Sequence, residues 1–176
     1  MTGDADRGTG SATGADGADS GGGFAAATGD GPPLPERDAE QRSREVRSAF
    51  EGLLQIRRLT NRQDGSGPGG DPAARPAEWE RRRPVRAVAL ALEAAGQQPS
   101  ALAPDGTRLA TGYRVAPGER PGTVRVEWLG PPASGAVHEE EAALTACATA
   151  LERLGWDALL YRGPRRHRHL EVEPSP

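Results

Sequence analysis

The stretch that most constrains the fold is HEEEAALTACATALERLGW, residues 138–156, because helix-start signals, an apolar stripe and a stop signal agree along it. Leu144, Cys147, Leu151 and Leu154 recur at steps of three and four, with Ala148 beside them, which places them on one face of an α-helix. Glu139, Glu140 and Glu141 fall in the first turn, where negative charge meets the positive end of the helix dipole. Gly155 is placed as the left-handed residue that ends the helix, and Trp156 as the residue that folds back on Leu151.

The flanking sequence supplies partners for that face. Val85, Val88, Ala89, Leu92 and Ala95 mark another helix, with Pro84 in its first turn and Gly96 at its end. Ser100 to Ala103 reads as a short extended segment before a Pro104-Asp105-Gly106 turn. Leu109, Thr111, Tyr113 and Val115 alternate as one strand face, and Val124, Val126 and Trp128 as another, which predicts an antiparallel hairpin. Ala158–Arg162 and Arg168–Val172 predict a second hairpin, with Leu160, Leu170 and Val172 turned inward. Setting Gly96 over Gly155 puts Val85 over Leu144, Val88 over Cys147, Ala89 over Ala148 and Leu92 over Leu151, the pattern of an α-β-β unit used twice. The expected fold class is α+β, a two-layer sandwich of a mostly antiparallel sheet with two helices on one face, over residues 79–174.

What precedes this domain reads differently. Residues 1–35 are an acidic, Gly/Ala-rich tail with almost no large apolar side chain, expected to be disordered because too little can be buried to offset the entropy of ordering. Pro32 to Pro35 has a P-x-x-P spacing and is read as linker. Residues 36–62 predict an amphipathic helix with Val46, Ala49, Phe50, Leu53, Leu54 and Ile56 on a broad face, and residues 63–78 a Gly/Pro linker. This helix either docks on its own domain or meets a partner. Val46, Phe50, Leu53 and Leu54, with Trp79 at the linker edge, are the candidate partner contacts.

Composition excludes several chemistries. All 22 residues counted as Lys plus Arg are Arg, and Ile56 and Asn61 are the single residues of their types. That is the codon signature of a GC-rich bacterial genome, so abundant Arg is partly a codon effect. Without lysine there is no P-loop lysine, no pyridoxal phosphate Schiff base and no lysine nucleophile. Cys147 alone allows neither an intramolecular disulfide nor a thiolate cluster. The first residues lack a basic then apolar leader and no apolar run approaches a membrane span, so a cytoplasmic location without a membrane partner is expected.

The remaining candidates are clusters. Arg81, Arg82, Arg83 and Arg86 lead into one helix, and Arg162, Arg165, Arg166 and Arg168 crowd the last hairpin, where guanidinium groups can grip phosphates. The net charge of −3 is not that of a basic nucleic-acid footprint. His167 and His169 alternate to one strand face that Glu171 continues, a conceivable ligand set, but the neighbouring arginines disfavour a cation. Cys147 sits on an apolar stripe as a core residue, no serine lies in a nucleophile turn, and Glu139–Glu141 splay around a helix instead of converging. PVRAVALALEAAGQQP loosely resembles the first helix of double-stranded RNA-binding domains. That resemblance implies a lysine clamp at the start of the second helix, where this chain has Glu139, Glu140 and Glu141, so the family is not assigned. No catalytic residue, cofactor or metal is assigned. The leading expectation is a non-catalytic protein-interaction or regulatory module. The alternative is nucleic-acid association through the two arginine groups.

Overall fold

Alternating apolar residues become strands of a four-stranded sheet in the computed structural model, which describes residues 24–34, 38–63, 71–163 and 167–175. The helices are α1 (Ala39–Gln63), α2 (Glu78–Arg82), α3 (Pro84–Ala94) and α4 (Ala136–Glu152). The strands are β1 (Ala101–Leu102), β2 (Arg108–Ala110), β3 (Gly112–Pro117), β4 (Val124–Leu129), β5 (Trp156–Arg162) and β6 (Arg168–Pro174). The main sheet runs β3-β4-β6-β5 with every pairing antiparallel, and β1-β2 form a separate small ribbon. A mixture of helices and antiparallel sheets is the expected α+β class. No described helix is long and apolar enough to cross a membrane.

One core holds α3, α4 and both hairpins. Val88 and Leu92 of α3 and Leu144, Cys147 and Leu151 of α4 pack with Tyr113, Val115, Val124, Val126, Trp156, Leu170 and Val172, all essentially buried. The strand residues between them carry charge: Arg114 lies opposite Glu127, and Arg125 opposite Glu171. This is the period-two division of a sheet with one apolar face. Pro84 opens α3 as its first residue. The helix closes at left-handed Gly96 with Gln97 N donating to Leu92 O (3.0 Å) and Gly96 N to Glu93 O (3.0 Å), a full Schellman stop. Gly155 is also left-handed, but the bonds before it run from Leu154 N to Leu151 O and from Gly155 N to Glu152 O, so α4 ends in a tightened turn.

The strand expected from Leu109 to Val115 is two strands. Residues 98–100 cross at Gly112, where a Cβ would overlap the Gln98 carbonyl oxygen, while Tyr113 N donates to Gln98 O (2.9 Å) and Ser100 N to Tyr113 O (2.9 Å). Leu109 therefore belongs to β2 and lies half exposed, outside the core. Leu160, read as inward, stands opposite buried Leu170 yet is itself exposed.

The expected division before residue 79 also changes. Residues 24–34 are not a free tail: they are hydrogen-bonded to β3 at Thr28 and to β1 at Gly31, with a bend at 29–31, and residues 1–23 fall outside the described residues. Of the expected linker 63–78, Gln63 ends α1 and residues 71–78 are structured. Pro72–Ala74 form a 3-10 turn capped by Asp71, whose carboxylate accepts from Ala73 N (2.9 Å). Asn61 holds this crossing by donating to Pro72 O (2.7 Å) and Arg75 O (2.8 Å). At Gly155 a Cβ would overlap Ala74 O, so the glycine serves both a left-handed turn and a close backbone approach.

Helix α1 docks on its own chain. Val46 and Leu53 are buried with Leu90 of α3, and Ala49, Phe50, Leu54 and Trp79 pack around them. Beside this apolar contact, Arg57 and Glu80 are both 0% exposed. Arg57 Nε and Nη2 donate to the two oxygens of Glu80, each at 2.7 Å, and Nη1 donates to Ala73 O and Leu154 O, each at 2.8 Å. Glu80 accepts further from Ala77 N (2.8 Å). Removing one partner strands a buried charge, which costs about 3–5 kcal/mol. Arg57→Ala and Glu80→Gln should each lower the unfolding free energy in urea by about that much, and losses below about 1 kcal/mol, the worth of a surface pair, would contradict the assignment.

Candidate functional site

Two places concentrate polar groups. The first is the groove between α1, the end of α3 and the β3 edge, where residues 24–34 lie as a strap. Its donors engage the strap backbone in succession. Phe24 O accepts from Arg86 Nη2 (2.7 Å), Ala25 O from Arg42 Nη2 (2.8 Å) and Ala27 O from Tyr113 Oη (3.0 Å). Thr28 O accepts from Val115 N (2.7 Å), Gly29 O from Ser100 Oγ (3.1 Å) and Arg108 Nη1 (3.0 Å), and Gly31 O from Leu102 N (2.9 Å). Ala27 N donates to Glu93 Oε2 (3.0 Å).

Side chains fasten the ends of the strap. The Arg42 guanidinium lies 4.3 Å from the Phe24 ring centroid, and Asp30 pairs with Arg114 (2.8 Å) and Arg108 (3.2 Å). Glu93, nearly buried, also binds Arg42 Nε (2.6 Å) and Nη2 (2.8 Å), which makes it the hinge between α1, α3 and the strap. Burial first, then the Glu93 charge, pushes the Tyr113 phenol well above its usual range, so the hydroxyl stays a donor. Gly29 is left-handed and a Cβ there would overlap Tyr113 O. Grooves of about 530 Å³ and about 450 Å³ flank the strap, the first lined by Arg42, Val46, Arg47, Phe50 and Gln97, the second by Gln98, Ser100 and the strap itself.

The second place is a cleft of about 410 Å³ at the start of β6, lined by Arg125, Glu127, Glu140, His167, Arg168 and His169. Glu140 is buried on α4, with His167 Nδ1 at 3.5 Å and Arg168 Nη1 at 3.6 Å, separations of charge proximity and not of hydrogen bonds. Arg168 Nη2 reaches Glu141 Oε2 at 2.6 Å. The glutamates at the start of α4 thus hold the first residue of β6. His169 lies on the other face of the sheet, stacked on Tyr161 with centroids 5.9 Å apart and with Arg125 Nη2 at 3.1 Å from its Nε2.

The structure therefore separates the residues that the sequence groups. His167 turns to Glu140 while His169 turns to Arg125, so the His167, His169, Glu171 set does not converge, and no three such side chains gather for a metal among the described residues. Of the arginines, Arg168 is committed to Glu140 and Glu141, Arg82 pairs with Glu78 (3.2 Å), and Arg86 binds the strap. Arg81, Arg83 and Arg162 are exposed, and Arg165 and Arg166 lie outside the described residues. Cys147 is buried with its thiol pushed up to about 12 by desolvation, and its polar neighbour is Gln97 Oε1 (3.8 Å). Val46 and Leu53 are buried between α1 and α3, although Val46 also lines the first groove, while Phe50, Leu54 and Trp79 are half-buried around them.

The strap contacts have little signature in the sequence, because backbone carbonyls carry most of them. The available signals were Phe24, the one aromatic residue before Phe50, and Glu93 near the end of a largely apolar helix. No protein-family model, curated protein or solved structure matches the chain.

Desolvation and the Arg125 guanidinium hold the His169 ring below its usual 6.5. With the folded value depressed, neutral His169 contributes stability above the unfolded value, and this is lost as pH falls through the folded one. An NMR titration should show a His169 midpoint below 6.5 that rises in Arg125→Ala, and a native midpoint at or above 6.5 would contradict this environment.

Proposed function

We propose that the chain is a small non-catalytic protein-interaction or regulatory module that binds a peptide backbone in the groove beside the β3 edge, its carbonyls taken mostly by side-chain donors. The observation that carries the reading is the succession of strap carbonyls, from Phe24 to Gly31, taken by Arg86, Arg42, Tyr113, Val115, Ser100, Arg108 and Leu102. Donors that engage backbone accept any segment able to place a glycine where left-handed Gly29 crosses Tyr113, because the carbonyls they take are common to every sequence. Residues 24–31 hold this place in cis, so a partner's segment competes with them and the docked strap is the closed state.

The finer architecture belongs to the same reading: a two-layer sandwich built from an α-β-β unit used twice. Its support is that β4 and β6, the second strand of each hairpin, pair at the centre of the sheet, as a two-fold relation between the units requires. Nucleic-acid association is the alternative, supported by exposed Arg81, Arg82, Arg83 and Arg86 and weakened by the commitment of Arg168 to two glutamates.

Gly29→Val should expel the strap, and a labelled peptide of residues 22–34 should then bind this variant saturably while binding wild type far more weakly. Adding Glu93→Ala removes a charge-assisted hydrogen bond worth about 1.5–3 kcal/mol and should weaken peptide binding by about tenfold or more. A Gly29→Val variant that folds and ignores the peptide would contradict the peptide-groove reading. Salt-sensitive retention of a polynucleotide, lost when Arg81 and Arg83 are changed to Glu, would favour the alternative.

A further inference from the structure

The sheet has two edges and the chain treats them differently. The β3 edge is covered by residues 27–29 and 98–100, whereas no described segment pairs with the outer edge of β5. β5 is seven residues long, WDALLYR, and keeps an unbroken register with β6 from Trp156 opposite Pro174 to Arg162 opposite Arg168. Proteins blunt such an edge with shortness, proline, a bulge or charge. Between Ala158 and Tyr161 β5 has none of these and carries Leu159, Leu160 and Tyr161 at 56%, 43% and 44% exposure. Leu160 is the most telling, because it stands opposite buried Leu170 on the core face and is nevertheless left half open.

We infer that β5 is the surface on which a second copy of this chain docks, β5 against β5, extending the sheet across a two-fold axis. Backbone N–H and C=O groups left without a partner among the described residues are a template for another strand, and the sequence of β5 is itself a fitting one. Residues directly opposite in an antiparallel pair share a face, so the two-fold axis passes a residue that meets its own copy. With the axis at Leu160, Leu160 meets Leu160, Leu159 meets Tyr161 on both sides, and Ala158 meets Arg162. Every exposed apolar residue then faces an apolar or aromatic one, and Asp157 and Arg162 never oppose their like. An isologous contact uses each β5 once, and with the β3 edge covered the assembly closes as a dimer.

Sedimentation equilibrium of the full chain should show a species of twice 18.4 kDa. Leu160→Lys places two charges at the axis and should raise the dissociation constant by about tenfold or more, with an unchanged circular dichroism spectrum. Leu160→Cys should give a cross-linked dimer with a short bis-maleimide, since the native Cys147 is buried. A wild-type chain that stays at 18.4 kDa, or a dimer indifferent to Leu160→Lys, overturns the proposal, and a dimer that leaves Leu160→Cys uncrosslinked overturns the Leu160 axis.

Discussion

The ion pair of Arg57 and Glu80 is the interaction on which the rest of the structure depends. Taking two charges out of water costs several kcal/mol per ion, and attraction offsets this only when the remaining donors and acceptors are satisfied as well. Here they are, and each extra bond reaches a different part of the chain: the crossing at Ala73, the start of α2 at Ala77, the end of α4 at Leu154. The pair is therefore complete only when α1, the 71–77 crossing and the α4 terminus have assembled. An apolar residue at position 57 or 80 would not enforce that coincidence, because hydrophobic contact is non-directional.

Once α1 is fixed, the surfaces available for function follow. Its apolar face is committed to Leu90 and Trp79, and its polar residue Arg42 is delivered to Glu93 and the strap. The strap in turn covers the β3 edge, and among the described residues nothing pairs with the longer edge of β5. The covered edge holds its occupant through backbone carbonyls, and the β5 edge carries exposed apolar side chains. The first is proposed for exchange with a competing peptide, the second for a self-complementary contact. The charged cleft at Glu140 and Arg168 belongs to neither, since its ion pairs tie β6 to α4.

The parts legible in the sequence were those governed by periodicity and turn chemistry. The spacing of Val88 and Leu92, and of Leu144, Cys147 and Leu151, gave both core helices, and alternation gave β3, β4, β5 and β6. Long-range backbone contacts were not legible. Gly112 ends a run of alternating residues because residues 98–100 cross it, and residues 24–31 are ordered by carbonyl acceptors that any sequence possesses. Arg57 and Glu80 looked like two more charges in an Arg-rich chain, since their meeting depends on a crossing that Gly and Pro content made look like linker. The same blindness affects the candidate site: Arg86 was visible as a cation, but its acceptor, a backbone carbonyl sixty-two positions earlier, was not.

The central claim is that α1 and the sheet form one cooperative unit through the buried pair. Native-state hydrogen exchange under increasing urea tests it most directly, by comparing the opening free energies of amides in the middle of α1, around Leu53, with those of β6 at Leu170 and Val172. The α1 and β6 amides should merge into the same global opening well below the unfolding midpoint. An α1 that opens on its own, at a free energy well below that of β6, would contradict it.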